Sequence, residues 1–558
     1  MDNLNPAMGR CRTVIENVRP AVDGGRFPIK RVVGEPVRVE ADIFCDGHDA
    51  IRCLLQHRKI SESAWHEISM RPLGNDRWQA EFQVTEVGRC EYRLLAWVDR
   101  FLTWRHDLAR RQDEADIVVA LCVGADLVDL AAQHCQGEAT VRLSQWATRL
   151  RHPASPSAGR AIGLDPELAQ WMAAHGERGF VTTYDHTLAI VVDPPRARFS
   201  AWYELFPRSC TDGDGLHGTF ADCENRLPEI AGMGFDVLYL PPIHPIGSAF
   251  RKGPNNTLNA GSNDPGSPWA IGARDGGHRA VHSQLGTLVD FRRLVEKARQ
   301  LGLEVAMDIA FQCSPDHPYV TEHPGWFRWR PDGTVQYAEN PPKKYQDIYP
   351  FDFESEDWWA LWQELKGIFE FWIEQGVRIF RVDNPHTKPF PLWEWLIGEI
   401  KAAHPETIFL AEAFTRPRIM HRLAKLGFTQ SYTYFTWRNT QRELIEYFTE
   451  LSQNESREYF RPNLWPNTPD ILPEFLQYGG RQAFLLRVAL AATLGAAYGI
   501  YGPAYELLEH EALRPGGDEY LNSEKYQVRH WELDRADSLK VGRPKRPSAV
   551  TRFLALIS

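Results

Sequence analysis

The first part of the chain alternates apolar and polar residues with a period of two, most clearly over residues 37–43, 78–84 and 92–98. Successive side chains of a strand point to opposite faces of a sheet, so this alternation predicts strands that each bury one face. Turn-forming residues, such as the Gly-Asn-Asp run at 74–76, separate these strands. The pattern predicts an antiparallel, immunoglobulin-like β-sandwich over residues 1–120.

Residues 121–195 change to a period that is typical of helices. The apolar residues that recur at helical spacing are Leu127, Leu130, Val141, Trp146 and Leu150. Asp165 followed by Pro166 is a preferred N-cap and first-turn pair. We therefore predict a helical segment over 121–195 and expect it to face a partner.

Short apolar runs alternate with amphipathic stretches over residues 196–535. The strand candidates are FSAWYELFP, FDVLYLPPI, LEVAMDIAF, VRIFRVD, TIFLAEAF, FTQSYTYF, NLWPNTPD and AAYGIYG. The clearest helix candidates cover residues 219–233, 287–301, 357–375, 391–403 and 417–426. Eight strand–helix units predict an α/β fold, a (β/α)8 TIM barrel, rather than an open doubly wound sheet. The long segment 314–355 after the third strand is expected to form a subdomain insertion at the mouth of this barrel.

Composition and charge exclude several classes of protein. The chain has 558 residues and a formal net charge of −10, which is a poor match for nucleic-acid binding because that function needs a basic surface. No apolar run approaches the roughly 18 residues of a membrane helix, and the N-terminal residues lack the apolar core of a signal peptide. Nine scattered cysteines, an odd number, favour reduced thiols and a cytoplasmic protein.

Motifs for bound groups are missing from the sequence. No glycine-rich phosphate loop follows a predicted strand, and there is no HExxH, paired CxxC or acidic calcium loop. We therefore expect neither a cofactor nor a metal. The 19 tryptophans leave two interpretations open: aromatic faces that stack on sugar rings, or an aromatic core.

Four acidic residues lie at or just after predicted strand ends: Asp308, Asp383, Glu412 and Asp470. The carboxyl ends of barrel strands meet at one mouth, where such enzymes carry out their chemistry. Like charges gathered there cost free energy, so their clustering favours a functional role over a structural one.

Several sequence blocks carry a family resemblance. The blocks GVRIFRVD (376–383), FLAEAF (409–414), AMDIAF (306–311) and NTPD (467–470) resemble the four short blocks of the α-amylase family, glycoside hydrolase family 13. Longer strings resemble one subgroup, the α-1,4-glucan:maltose-1-phosphate maltosyltransferases: RKGPNN (251–256), DIAFQCSPDHP (308–318), ENPPKKYQDIYP (339–350) and RVDNPHTKP (381–389). The resemblance covers roughly residues 15–535, and it is specific because ordinary amylases lack the lysine-tyrosine loop.

The resemblance implies roles for the acidic residues. Asp383 would be the nucleophile, Glu412 the general acid and base, and Asp470 a ligand of sugar hydroxyls that favours the distorted ring. Retaining glycosyl transfer needs two carboxyl groups about 5–5.5 Å apart on either side of the anomeric carbon. Arg381 would keep the nucleophile ionised, or would form a salt bridge in the barrel core.

The resemblance also implies a site for a phosphorylated donor, which carries nearly two negative charges. The residues expected to hold the phosphate are Asn340, Lys343, Tyr345 and Asn384. The alternative is that Lys343 and Lys344 form a solvated charge pair. Lys252 and Gln312 are expected to bond sugar hydroxyls, with Cys313 standing where most of the family has histidine.

Four further residues have two open interpretations. His386 and Lys388 either bind acceptor sugars or lie on the surface. His278 and His282 either contact the sugar at the non-reducing side or order a loop.

The expected activity is retaining transfer of maltosyl units from α-maltose 1-phosphate to the non-reducing end of α-1,4-glucans, with release of phosphate. The alternatives are an α-glucan hydrolase and a catalytically inactive glucan-binding protein. The resemblance implies a homodimer formed through the sandwich and the helical segment, without nucleic-acid or membrane partners. Residues 536–558 are expected to be a divergent or truncated tail in place of a C-terminal β-sandwich.

Overall fold

The computed structural model describes residues 9–211, 213, 216–341 and 343–539. The chain divides into two compact units, with the boundary between Val192 and Asp193. The tail predicted over 536–558 lies outside the described residues from 540 onward. Within the described residues, every helix is too short or too polar to cross a bilayer.

The strands of the N-terminal unit form two sheets. They are β1 (Thr13–Arg19), β2 (Ile29–Val32), β3 (Pro36–Cys45), β4 (Ile51–Lys59), β5 (His66–Ser69), β6 (Arg71–Gly74), β7 (Arg77–Gln83), β8 (Gly88–Val98), β9 (Thr182–Thr183) and β10 (Leu188–Asp193). One sheet has the order β1-β3-β7-β6, and the other has the order β2-β10-β8-β4-β5 with β9 beside β8. Val37 lies opposite Phe82 and Val39 opposite Ala80, so the predicted apolar positions meet across β3 and β7. The strands predicted from the period-two alternation are confirmed.

Five helices follow β8: α1 (Arg100–Arg110), α2 (Glu114–Gln133), α3 (Glu138–Arg151), α4 (Pro156–Gly163) and α5 (Pro166–His175). The side chain of Asp165 accepts a hydrogen bond from the amide of Glu167 and caps α5, as predicted. The structure differs from the predicted helical segment 121–195 at both ends. Helix α1 begins at Arg100, and after α5 the chain returns to the sheet, where Leu188 pairs with Tyr92. Strand β10 lies between β2 and β8, and both of these neighbours are distant from it in sequence.

The C-terminal unit is built around a parallel sheet. Its strands are β11 (Ser200–Glu204), β12 (Val237–Leu240), β13 (Glu304–Ile309), β14 (Gln312–Cys313), β15 (Ala338–Asn340), β16 (Lys343–Tyr345), β17 (Tyr349–Pro350), β18 (Ile379–Asp383), β19 (Ile408–Glu412), β20 (Gln430–Ser431), β21 (Asn463–Leu464) and β22 (Ala497–Tyr501). Eight of them pair in the order β20-β19-β18-β13-β12-β11-β22-β21. The amide of Ser431 donates to the carbonyl of Arg461 at 3.0 Å, which brings the two ends of the sheet together. The predicted (β/α)8 barrel is confirmed.

The helices of this unit alternate with the barrel strands. They are α6 (Phe220–Gly232), α7 (Leu288–Gln300), α8 (Pro318–Glu322), α9 (Trp358–Glu374), α10 (Phe390–Ala403), α11 (Pro417–Leu426), α12 (Gln441–Gln453), α13 (Glu474–Tyr478), α14 (Gly480–Leu494) and α15 (Gly502–Glu506). Thr219, Thr287 and Thr440 begin α6, α7 and α12 with capping boxes. The long segment after β13 forms two short antiparallel pairs, β14 with β17 and β15 with β16.

Candidate active site

The barrel brings two acidic residues together at neighbouring strand ends. Asp383 is the last residue of β18 and Glu412 the last residue of β19. The two strands are parallel and in register, so Asp383 lies directly opposite Glu412. Both carboxyl groups therefore project from the same end of the barrel.

Arg381 links the acidic residues. Its Nη1 donates to Asp308 Oδ2 at 2.8 Å and to Asp383 Oδ1 at 2.9 Å, and its Nη2 lies 3.6 Å from Glu412 Oε1. The arginine is buried, with 5% of its surface exposed. Arg381 therefore forms a salt bridge in the barrel core, one of its two expected roles, and Asp383 is one of its partners.

Asn384 makes a second link between the same two acids. Its amide nitrogen donates to Glu412 Oε2 at 3.1 Å, and its side-chain Nδ2 donates to Asp383 Oδ2 at 3.3 Å. The residue has a φ of +42°, in the left-handed region that a side chain other than glycine adopts at a cost of roughly 1–3 kcal/mol. This turn immediately after β18 lets one residue bond both carboxyl groups.

Two of the four acids predicted at strand ends, Glu412 and Asp308, have raised pKa values. Burial raises the pKa of Glu412 to about 7; Arg381 opposes this rise and Asp383 adds to it. Burial also raises the pKa of Asp308 to about 7, against the opposing effect of Arg381. A carboxyl group with a pKa near neutral can both donate and accept a proton, which suits Glu412 to general acid and base catalysis.

Asp308 lies beneath the mouth of the barrel. It is fully buried and accepts a hydrogen bond from the hydroxyl of Tyr239 at 2.6 Å as well as from Arg381. It is not among the residues that line the cleft. The expectation that all four strand-end acids meet at the mouth is therefore wrong for Asp308, whose hydrogen bonds hold it in the core.

Asp470 reaches the site from the loop after β21 and forms an ion pair with Lys525. The ammonium group of Lys525 also lies 4.9 Å from the ring centre of Trp269. Sequence analysis missed Lys525, because it is 55 residues from its partner and belongs to none of the recognised motifs.

A cleft of about 830 Å³ opens above these acids. The predicted residues that line it are Lys252, Gln312, Tyr345, Asp383, Asn384, Glu412 and Asp470, together with His386 and Lys388. The lining residues that sequence analysis missed include Trp269, Phe353, Phe414, Lys525 and Tyr526. Such aromatic side chains are the surfaces on which sugar rings stack, and the site therefore has the composition of a carbohydrate cleft.

Comparison with known proteins identifies the family. Residues 11–194 match the family model described as alpha-1,4-glucan:maltose-1-phosphate maltosyltransferase, domain N/S. The chain is 56% identical over 536 residues to the alpha-1,4-glucan:maltose-1-phosphate maltosyltransferase of Chlorobaculum tepidum, a match that covers 96% of this chain and 80% of that protein. The chain belongs to this maltosyltransferase family.

Two further proteins are also similar to this chain. The maltosyltransferase of Methylacidiphilum infernorum is 51% identical over 537 residues, covering 96% of this chain and 80% of that protein. A crystal structure of an alpha-amylase from Lactobacillus plantarum aligns with a TM-score of 0.48 and 21% identity, over 65% of this chain and 80% of that one.

In this member of the maltosyltransferase family, hydrogen bonds to other residues orient Lys252 and Gln312, which are predicted to bond sugar hydroxyls. The ammonium group of Lys252 donates to Gln346 Oε1 at 3.0 Å, and the side-chain amide of Gln312 donates to the carbonyl of Trp269 at 3.2 Å. Lys388, predicted either to bind acceptor sugars or to lie on the surface, is buried, and its ammonium group donates to the backbone carbonyls of Asp383 at 3.4 Å and Asn384 at 3.2 Å. Lys388 therefore holds the turn after β18.

Three of the four predicted phosphate ligands of the maltosyltransferase, Asn340, Lys343 and Tyr345, lie on one hairpin. Asn340 and Lys343 are opposite each other in the pair β15–β16, and Tyr345 is opposite Ala338. Tyr345 and Asn384 line the cleft. The side chains of Asn340 and Lys343 lie outside the described residues. Their predicted role stays a prediction.

His278 and His282, which were expected either to contact sugar or to order a loop, do not line the cleft. The amide of Tyr319 donates to Nδ1 of His317 at 3.0 Å, so His317 Nε2 carries the hydrogen that bonds His278 Nδ1 at 3.1 Å. His278 Nε2 then donates to the carbonyl of Ala310 at 3.0 Å. His278 therefore orders the loop after β13. His282 stacks on His217, with ring centres 5.5 Å apart.

The hydrogen bonds of His278 and His317 also decide whether these residues can bind a metal ion. The ligand atoms of His278, Cys313 and His317 lie within 4.8 Å of one another. Every ring nitrogen of the two histidines is already used in the hydrogen-bonded chain. Burial lowers the pKa of His317 to about 3, so its ring is neutral. We assign this cluster to loop structure.

Proposed function

We propose that the chain transfers maltosyl units from α-maltose 1-phosphate to the non-reducing end of α-1,4-glucans, with retention of configuration and release of phosphate. The observation that carries this proposal is the pairing of Asp383 and Glu412, which lie on adjacent strands and share Arg381 and Asn384. Family membership supports the choice of substrates.

The proposed reaction has two displacements. Asp383 attacks the anomeric carbon and forms a β-glycosyl ester, while Glu412 gives its proton to the departing phosphate oxygen. The acceptor hydroxyl then attacks the same carbon, Glu412 takes the hydroxyl proton, and Asp383 leaves as carboxylate. Asp470 bonds the sugar hydroxyls and favours the distorted ring. Arg381 stabilises the charge on Asp383 at the start and at the end.

The donor phosphate needs positive charge and hydrogen-bond donors close to two acids. We assign this task to the hairpin residues Asn340, Lys343 and Tyr345 with Asn384. Tyr345 and Asn384 support the assignment because they line the same cleft as Asp383 and Glu412. Lys252 and Gln312 line it too and are assigned to sugar hydroxyls.

Phosphate release tests the proposal. Incubation with α-maltose 1-phosphate and maltohexaose should release phosphate and lengthen the glucan in steps of two glucose units. Asp383→Ala should abolish both, and Glu446→Ala, an exposed acid on α12, is the matched control. Wild-type protein that releases no phosphate would contradict the proposal. Digestion of maltohexaose without a phosphorylated donor would instead indicate a hydrolase, and glucan binding without turnover an inactive binding protein.

We also propose that the protein is a homodimer formed through its sandwich and its helical segment. Helix α2 leaves Val118, Val119 and Val123 48–65% exposed, and Val141 of α3 is 57% exposed. An apolar stripe of this kind is typical of a surface that another protein covers. Light scattering should give twice the chain mass for the wild type and a monomer for Val119→Asp. A wild-type monomer would contradict the proposal.

The cytoplasm is the proposed location. All nine cysteines are free thiols in the described part of the chain, which suits a reducing compartment. Recovery of the protein in the cytosolic fraction of its native cells tests this.

A further inference from the structure

Two loops of the barrel carry lysines into the wall of the cleft. The first loop, residues 251–257, follows β12 and contains Lys252, and the second loop, residues 521–526, follows β22 and α15 and contains Lys525. Strands β12 and β22 both pair with β11, so the chain leaves the sheet for these loops on either side of one strand. Burial raises the pKa of Asp347, and both Lys252 and Lys525 oppose this rise. The two lysines therefore face the same part of the cleft.

A pair of asparagines joins the two loops. The side-chain Nδ2 of Asn255 donates to Asn522 Oδ1 at 3.2 Å, and the backbone amide of Asn522 donates to Asn255 Oδ1 at 2.7 Å. A backbone amide can only donate, so Asn255 Oδ1 is the acceptor and its Nδ2 faces Asn522. Asn255 lies three residues after Lys252, and Asn522 lies three residues before Lys525. We call Asn255 and Asn522 the asparagine pair.

Both members of the asparagine pair have a left-handed backbone, with a φ of +56° at Asn255 and +55° at Asn522. Glycine adopts this conformation without strain, whereas few other residues tolerate it. Glycine has no side chain, however, and could not supply the bonds that Asn255 makes to the other loop. Asparagine at both positions therefore favours a function for the side chains beyond the turn of the backbone.

Each loop is also fixed to the barrel on its own side. Asp316 Oδ2 accepts from the amides of Ser248 at 2.7 Å and Ala249 at 2.8 Å, just before the first loop. The buried guanidinium of Arg208 donates to the carbonyl of Glu524 at 2.6 Å in the second loop. These contacts hold each loop against the barrel, and the asparagine pair holds the two loops to each other.

The lysines themselves lie outside helices and strands. Contacts between loops, rather than regular backbone hydrogen bonds, therefore decide where their ammonium groups stand. Lys252 is 2% exposed and donates to Gln346 Oε1 at 3.0 Å. Lys525 forms an ion pair with Asp470, the acid expected to bond sugar hydroxyls.

We propose that Asn255 and Asn522 are positioning residues, whose two hydrogen bonds set the spacing of Lys252 and Lys525 across the part of the cleft that binds the donor. The proposal rests on the proposed function, in which Lys252 and Asp470 bond the sugar hydroxyls of that donor. The asparagine pair acts through the two lysines. Contacts made equally to the ground state and the transition state change KM rather than kcat, so loss of the pair should weaken donor binding and spare the chemical steps.

The test uses glycine variants, because glycine keeps the left-handed backbone and removes only the side chain. Asn255→Gly loses both hydrogen bonds, whereas Asn522→Gly loses one, since its backbone amide still donates to Asn255. KM for α-maltose 1-phosphate should rise roughly tenfold in Asn255→Gly and roughly threefold in Asn522→Gly, with kcat within about twofold of wild type. The double variant should match Asn255→Gly, because no bond is left for the second change to remove.

Two control variants separate the hydrogen bonds from other effects. Asn522→Asp keeps an oxygen that accepts from Asn255 Nδ2 and should keep the wild-type KM. The matched control is Asn75→Gly, because Asn75 is an exposed asparagine with a φ of +48° in the turn between β6 and β7. Equal KM values in Asn75→Gly and Asn255→Gly would overturn the proposal. So would a rise in Asn522→Asp as large as that in Asn522→Gly.

Calorimetric titration with maltose gives a measurement that does not need turnover. The dissociation constant of maltose should rise roughly tenfold in Asn255→Gly and stay unchanged in Asn75→Gly. A urea midpoint that falls in Asn255→Gly while KM and the dissociation constant stay unchanged would show a structural role alone and overturn the proposal. If circular dichroism shows that Asn255→Gly is unfolded, Asn522→Gly takes its place, with the smaller rise expected.

The two measurements also distinguish this proposal from the proposed function. A wild type that binds maltose but releases no phosphate would contradict the proposed function alone, and the dissociation constants of the variants would still decide the role of the asparagine pair. A wild type that releases phosphate, with the same KM in every variant, would contradict the positioning role alone. A wild type that neither binds maltose nor releases phosphate would contradict both.

Discussion

At the scale of single residues, the candidate site depends on two residues that hold its two strand-end acids in place. Arg381 and Asn384 each contact both Asp383 and Glu412. Motif resemblance identifies all four, because they lie in short blocks of sequence. It does not identify Lys525, whose ion pair with Asp470 joins segments 55 residues apart.

The pH dependence of the rate should report the protonation of Glu412. Burial raises its pKa to about 7, so its protonated form, the proton donor of the proposed reaction, exists below that pH and disappears above it. We expect kcat/KM for α-maltose 1-phosphate to fall about tenfold for each pH unit above 7. Glu412→Gln, which does not titrate, should lose most of the activity and this descending limb.

The control for this experiment is Glu446→Gln, a change at an exposed acid that should leave the profile intact. The donor phosphate also titrates, near pH 6, and it does so equally with every variant. A descending limb near pH 7 that remains in Glu412→Gln would therefore assign the limb to the donor and contradict the prediction.

At the scale of helices and strands, local pattern predicted most of the barrel. Helix α11 covers the predicted residues 417–426, and the capped helices α6 and α7 begin and end within a residue of the predicted ranges. These elements are predictable because apolar period and capping residues are local properties. The return of β10 to the sheet is not, since the chain leaves β8 and pairs with it again only after five helices.

Removal of a helix cap should lower the free energy of unfolding by a measurable amount. The hydroxyl of Thr287 accepts from the amide of Asp290 at 3.3 Å, and the Asp290 carboxylate accepts from the amide of Thr287 at 2.9 Å. Thr287→Ala should lower the free energy of unfolding by about 1 kcal/mol in urea titrations. Thr493→Ala, an exposed change within α14, is the control, and an equal effect of the two changes would argue against the cap.

At the scale of the whole molecule, distant segments have to meet to close the barrel. Ser431 bonds Arg461 between the two ends of the sheet. Asp193, which is 1% exposed, forms ion pairs with Lys401 of α10 and with Arg461 before β21. One buried carboxylate thus connects parts of the chain more than 200 residues apart.

Asp193→Ala should destabilise the barrel strongly. Removal of the carboxylate leaves two cations without their buried partner, at a cost of about 3–5 kcal/mol in the free energy of unfolding. Glu446→Ala, which breaks an exposed pair, should cost less than about 1 kcal/mol. Equal urea midpoints for the two variants would contradict this account.

The effect of Asp193 should also depend on pH. Burial tends to raise its pKa, but Lys401 and Arg461 outweigh burial and lower it. A carboxyl group with a lowered folded pKa stabilises above its unfolded pKa and loses that contribution as pH falls through the folded value. The difference between wild type and Asp193→Asn should therefore shrink in acid.

The sequence by itself determined the antiparallel strands of the N-terminal unit and the strands and helices of the barrel, and it singled out Asp383, Glu412 and Asp470 as candidate acids, since each depends on local period or on a short motif. Only the tertiary structure decided that Arg381 joins three carboxyl groups, that Asp308 lies below the cleft, and that β10 completes a sheet begun at β2. The physical reason is that burial and ionisation depend on neighbours brought from distant parts of the chain, and no local pattern records those neighbours.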